Sequence, residues 1–315
     1  MKQLDLRRGV NLGGWMSQCD YSEDRLNNFI TEKDFEKIAS WKADHVRLPV
    51  DYNILQNEDM SIKEDGFRRI EKAVELASKY GLKIVIDLHK TLGFSFDAGE
   101  NEAGFFESEK YQENFYSLWE AFAKRFGDRP DTIFFELLNE VTEERFIGPW
   151  NRIWQTCVKR IRAFAPDTRI LVGSYHHNAV STVKYLDPPT DENIIYNFHC
   201  YEPFAFTHQG AYWTDALDRD ARVAFSESGA TEEYFEKMFA DAIEKAKEAD
   251  VPLYCGEYGV IDVASPEDTL SWYRVINRVF EKFGIARSAW SYKQMDFGLS
   301  DPRMDKVREE LIKHL

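Results

Sequence analysis

Eight short runs rich in apolar and β-branched residues recur along the chain, at 8–12, 44–50, 83–89, 133–140, 169–174, 193–201, 251–259 and 287–293. Each is too short for a helix and is bounded by turn residues, as expected of buried strands. Between them the apolar period lengthens to 3.6. The segment 66–80 puts Phe67, Ile70, Ala73, Val74, Ala77 and Tyr80 on one face, with Glu75 and Lys79 spaced to pair outside. Similar helical patterns cover 31–43, 114–126, 150–164, 232–249, 268–283 and 301–314, with a short piece at 180–185. Thr31 and Asp34 make a loose capping box at the start of the first. Strands and helical segments alternating eight times predict an α/β protein with one (β/α)8 barrel over 1–315. A doubly wound open sheet would require a glycine-rich phosphate turn, and Gly-Val-Asn-Leu-Gly-Gly at 9–14 is not that turn.

Two connections that follow strands are longer than usual. The one at 91–112 carries Phe94, Phe96, Phe105 and Phe106; the one at 202–231 carries Phe204, Phe206, His208, Tyr212, Trp213 and Phe225. Both leave the carboxyl ends of strands, where barrel enzymes place their sites, so these aromatics are expected as cleft walls or rim packing.

Composition narrows the partners. A formal charge of -15 disfavours nucleic acid and anionic lipid, which need a basic surface, and suits a neutral substrate. No apolar run is long enough to span a bilayer, and the charged stretch 1–8 is not a signal peptide. The expectation is a monomer without a membrane partner, cytoplasmic as the sequence stands or extracellular if a leader was removed. Cys19, Cys157, Cys200 and Cys255 lack metal or redox spacing and read as small buried residues. By strict alternation Cys200 faces the helices while Cys255 shares a face with Glu257, which argues against a disulfide between them.

The strand ends collect polar residues: Arg47, His89, Asn139, Glu140, His199, Tyr201, Glu257 and Trp290. A charged group at the end of a buried strand needs a reason, because an unpaired buried carboxylate is costly. Two carboxylates at one barrel mouth are what glycoside cleavage needs, one to hold a proton and one to stay ionised. Arg47 and Tyr201 near Glu257 would favour its charged form, while Glu140, without such partners, would keep its proton more readily. Adjacent Asn139 and Glu140 cannot both point inward by alternation, so a bulge or the strand's end must re-aim one. A metal site is not expected, since no His-x-His pair occurs and adjacent His176 and His177 would point apart. Those two histidines read as structural, Trp15 and Trp213 as packing or sugar-stacking residues, and Tyr258 and Asp262 as structural.

Phe-Glu-Leu-Leu-Asn-Glu at 135–140, His-Val-Arg-Leu-Pro at 45–49, Asn-Phe-His-Cys-Tyr at 197–201, Cys-Gly-Glu-Tyr-Gly at 255–259 and Ala-Trp-Ser-Tyr-Lys at 289–293 together resemble glycoside hydrolase family 5. Gly-Val-Asn-Leu-Gly-Gly-Trp at 9–15 and Phe-Thr-His-Gln at 206–209 make the chain most similar to the clostridial endoglucanase C group. The resemblance implies that Glu140 is the acid/base and Glu257 the nucleophile of a double displacement retaining anomeric configuration, with carboxyls about 5 Å apart. It further implies that Asn139 meets the sugar 2-hydroxyl and that Arg47 and Tyr201 hold Glu257. His89 and His199 would line the subsite at the cleavage point. Trp290, joined to Ser291 by a cis bond, would be the stacking platform, and Lys293 would reach further along the glycan. The implied activity is endo-hydrolysis of β-1,4 links in cellulose-like or mixed-linkage β-glucans, without cofactor. A β-mannanase, an exo-β-1,3-glucanase and a noncatalytic glycan-binding barrel are the alternatives. Lys90, where close relatives often carry histidine, and a shorter insertion after Glu202 depart from the group.

Overall fold

The computed structural model describes every residue except 58, 98, 99 and 101, three of which fall in the long connection at 91–112. Its eight parallel strands close into a barrel in chain order: β1 (Arg8–Asn11), β2 (His45–Asp51), β3 (Lys83–Lys90), β4 (Ile133–Glu136), β5 (Ile170–Gly173), β6 (Ile194–Cys200), β7 (Leu253–Tyr258) and β8 (Ala286–Ala289). Long helices at Glu64–Lys79, Glu109–Phe126, Ile147–Arg162, Glu232–Glu248 and Pro266–Phe283 pack outside. This is the expected (β/α)8 barrel. Among the described residues no helix is long and apolar enough to cross a membrane.

The core has two parts. One large cluster lies between the strands and the helices, and includes Phe67, Ile70, Ala73, Val74 and Ala77 of the face read from sequence. A second, inside the barrel, joins Val85, Phe134, Leu171, Ile195, Tyr254 and Ala286 to Leu4 and Leu6, which cover the barrel floor ahead of β1. Above that floor the interior turns polar.

Several local expectations change. Pairing in β4 stops at Glu136 rather than running to residue 140, and β8 stops at Ala289 rather than 293. In both places the chain turns out of the sheet at the barrel's mouth. Lys79 pairs with Glu32 of the preceding helix, not with Glu75, because the neighbouring helix offers a carboxylate at closer reach. The segment 301–314 buries Met304, Val307 and Leu311 at helical spacing. Its hydrogen bonds are nevertheless mostly of the three-residue kind, such as Met304 N to Asp301 O, so it winds as short pieces. Thr31 and Asp34 do form the capping box, over Glu32–Ser40. All four cysteines are free; Cys19 is half-buried and the other three are buried.

The alternation argument for Cys255 fails. Pairing of β7 shifts register against both neighbours, between Phe198 and His199 on β6 and between Cys255 and Tyr258 on β7. A β-bulge here breaks strict alternation. Cys255 joins the outer cluster with Cys200, while Glu257 two residues later is aimed at the mouth.

Candidate active site

Arg47 is the hub of the polar layer. Its guanidinium, fully buried, donates from Nε and Nη2 to both oxygens of Glu136 at 2.7 and 2.8 Å, and from Nη1 to Glu257 Oε1 at 2.7 Å and Asn11 Oδ1 at 2.9 Å. Nη2 also reaches Asn139 Oδ1 at 2.8 Å and lies 3.0 Å from Asp87 Oδ2. Burial opposes its charge, but Asp87, Glu136 and Glu257 around it hold the guanidinium firmly cationic. Burial in turn pushes the Glu136 carboxyl up, against the pull of Arg47. Asn197 Nδ2 gives Glu136 a further donor at 2.7 Å. A charge this deep is tolerable because its donors are matched by acceptors; removing either side leaves an uncompensated ion.

Glu257 is held from two sides. Arg47 takes Oε1, and the Tyr201 hydroxyl donates to Oε2 at 2.8 Å. The nearby carboxylates and burial keep the Tyr201 phenol protonated. Such a carboxylate is oriented from both sides.

Glu140 reaches the same place by a backbone turn. After β4, Leu137 N bonds Leu171 O of β5 and Asn139 N bonds Leu88 O of β3, and then Glu140 adopts φ +43°. That left-handed residue lets neighbours 139 and 140 both face inward, which pleated alternation forbids. His199 Nδ1 donates to Glu140 Oε1 at 2.7 Å, and His177 Nδ1 to Oε2 at 3.1 Å. Burial alone would raise the Glu140 carboxyl, but these bonds overrule it and hold it well below the usual carboxylate range. Glu140 is thus not the partnerless carboxyl read from the sequence: its partners are histidines supplied by β6 and by the turn after β5. His199 Nδ1 also lies 3.6 Å from Glu257 Oε2. An oxygen of Glu140, an oxygen of Glu257 and a ring nitrogen of His199 all fall within 4.8 Å of one another. Among the described residues this is also the group whose donors are close enough to share a metal ion.

The remaining candidates line the mouth. His89 bonds Asp87 Oδ2 through Nδ1 at 2.5 Å and faces Gln18 Oε1 through Nε2 at 3.3 Å. Burial lowers the His89 imidazole, but Asp87 beside it more than compensates, so its affinity for a proton is raised. Its ring lies parallel to Trp290, 3° apart in plane with centroids at 5.9 Å. Trp290 follows β8, is joined to Ser291 by a cis bond, and sits against Gly13, where a Cβ would come within 2.8 Å of the indole. Asn139 spends its carbonyl on Arg47, leaving its buried Nδ2 without a partner among the described residues. Lys293 is not brought to the carboxylates; its Nζ donates to Phe29 O at 2.8 Å.

The aromatic connections divide. Phe94, Phe105 and Phe106 are buried and pack edge to face among themselves and with Phe115, so they support the rim. Phe96 stands edge-on to His89 at 4.8 Å. Trp15 is buried, with its indole N–H on Leu26 O, and is a packing residue. Beyond Tyr201, Phe204 stacks on His208, while Trp213 and Tyr212 are 41% and 68% exposed. Burial lowers His208 to about 4, so it is a neutral ring at working pH. Glu136, Asp87, Asn197 and His177 were assigned no role from sequence. Glu136 was accessible: it lies two residues after inward Phe134, so period-two reading places it inside the barrel. His177 was not, because its direction comes from an irregular turn.

A family model described as cellulase (glycosyl hydrolase family 5) matches residues 8–296. The chain is 58% identical to cellodextrinase A of Ruminococcus flavefaciens over 287 residues, 91% of this chain and 85% of that protein. It is 34% identical to endoglucanase C of Acetivibrio thermocellus over 336 aligned positions, 98% of this chain and 97% of the relative. Among solved structures, Thermotoga maritima Cel5A in complex with mannotriose superposes with a TM-score of 0.81 at 26% identity, covering 98% of this chain and 97% of that one.

Proposed function

The chain belongs to glycoside hydrolase family 5, and from that premise we propose that it is a retaining, endo-acting β-glucanase cleaving β-1,4-glucosidic bonds. The observation that carries this reading is the carboxylate pair. One oxygen of Glu140 and one of Glu257 lie within 4.8 Å of each other, a closeness that supports double displacement. Glu257, ionised and aimed by Arg47 and Tyr201, attacks the anomeric carbon. Glu140, in the protonated form that its two histidine bonds disfavour, protonates the departing glycosidic oxygen, then as the carboxylate they favour takes a proton from the water that hydrolyses the glycosyl-enzyme. The free Asn139 amide donates to the sugar 2-hydroxyl, His89 and His199 line the sugar's edge, and Trp290 supports its face. Residues 1–315 act as one catalytic domain.

The substrate class follows the relatives' names: soluble cellodextrins and cellulose-like β-glucans, with mixed-linkage β-1,3-1,4-glucans as chains containing the same bond. The mannotriose complex of the Thermotoga structure supports β-mannan as a second substrate on this scaffold. Early products from cellopentaose, carboxymethylcellulose, lichenan, laminarin and glucomannan, followed by proton NMR, test the reading. The β anomer appears first, and cellopentaose and lichenan are cleaved fastest. First release of the α anomer overturns double displacement, and fastest cleavage of laminarin overturns the linkage.

A further inference from the structure

Three successive residues that are not glycine, His176, His177 and Asn178, sit in the left-handed region with φ of 56°, 54° and 55°. Side-chain-bearing residues rarely hold this conformation singly, and a run persists only where its surroundings fix it. Here they do. His176 N donates to Thr142 O at 3.1 Å and His177 N to Val141 O at 3.0 Å, so the turn is stitched to the two residues that follow Glu140. Asn178 is seated over Gly173, where an added Cβ would fall 2.3 Å from its amide oxygen. The product of this strained stitching is one contact: His177 Nδ1 on Glu140 Oε2 at 3.1 Å. His199 holds the other oxygen from the buried floor, whereas the His177 side chain is 53% exposed and approaches from the open side.

We propose that His177 is a positioning residue for the reaction, holding the carboxyl of Glu140 from the open side and setting the pH at which that group surrenders its proton. The inference rests on the reading of Glu140 as acid/base. Glu140 is faced by His177 from the turn after β5, by His199 from β6, by Glu257 from β7 through His199, and by Tyr201 and His208 from the connection after β6. Glu140 is the charged group facing His177, and its hydrogen bond holds the His177 imidazole above the ordinary histidine range. A cationic donor on Oε2 favours the carboxylate, so the acid is lost at a lower pH than His199 alone would allow. The turn places this control outside the pleated barrel, where it can vary without disturbing Arg47 or Glu257.

The test is the pH profile of kcat/KM on a cello-oligosaccharide, which reports groups of the free enzyme. Two variants are compared. His177→Leu removes donor and charge; His177→Asn keeps an N–H near the Nδ1 position, loses the charge, and suits the left-handed backbone. The basic limb moves up by about one pH unit in His177→Leu, the lower end of the range for a neighbouring charge because this one is half exposed. His177→Asn moves it less in the same direction, and the acid limb stays in place in both. A basic limb that coincides with wild type in both variants, or moves down, overturns the proposal even if both lose thermal stability. Glu140→Gln separates the two readings: it abolishes the basic limb if Glu140 is the acid, and a limb that persists overturns that assignment as well.

Discussion

Replacing Arg47 by Met probes the polar layer most directly. The change keeps the length and apolar stem of the side chain but removes every donor it gives to Glu136, Glu257, Asn11 and Asn139. Asp87, Glu136 and Glu257 are then left buried around a void of positive charge. Breaking a buried ion pair from one side costs about 3–5 kcal/mol. With an unfolding entropy of about 2.1 cal/mol/K per residue, a chain this size unfolds with about 0.66 kcal/mol/K. The melting temperature therefore falls by about 5–8 °C, measured by calorimetry at a pH where the carboxylates are ionised. Activity falls further than stability, because Glu257 retains only the Tyr201 hydroxyl as an orienting donor. Losing one such preorganised donor costs about 10²–10³ in kcat. Adding Glu136→Gln discriminates cause from coincidence. Removing one surplus carboxylate restores part of the lost melting temperature without restoring turnover, a coupling expected of neighbours in one network. A single variant that melts within about 1 °C of wild type, or a double variant whose losses simply add, refutes the electrostatic account of this layer.

Two further outcomes follow from the site. Asn139→Ala lowers kcat more than it raises KM, and its penalty disappears on a 2-deoxy substrate; an equal loss on both substrates removes the 2-hydroxyl assignment. Glu140 is bound more tightly as a carboxylate in the folded chain, so its contribution to stability is present above the unfolded value near 4.3 and is lost as pH falls. The difference in melting temperature between wild type and Glu140→Gln accordingly narrows between about pH 5.5 and pH 3; a difference that stays constant, measured by scanning fluorimetry, contradicts the histidine clamp.

The barrel was legible because its signal is repeated: period-two runs separated by period-3.6 runs tolerate errors of a residue or two at each end. The positions of Arg47, His89, Glu257 and Trp290 followed from strand ends alone. What the sequence withheld depends on broken periodicity. Cys255 was placed on the wrong face because a bulge in β7 shifts the register, and the same bulge is what aims Glu257. The tension between Asn139 and Glu140 was visible, but its resolution, a left-handed Glu140, is a backbone choice that leaves no pattern. His177 was set aside as structural, and its direction toward Glu140 comes from a left-handed turn that leaves no pattern in the sequence. Lys293 entered through the resemblance, and the bond from its Nζ to Phe29 O is a contact that no sequence pattern signals.

Leu4 and Leu6 lie far from any sugar, yet they close the lower end of the shaft in which Arg47 sits. Water reaching Arg47 from below would screen its pull on Glu257 as effectively as water from above, since screening is indifferent to direction. The two leucines act as an insulating stopper. Solvent is kept on one side of the charge layer, and the pull of Arg47 on Glu257 is sheltered by a hydrophobic seal at the opposite end of the barrel.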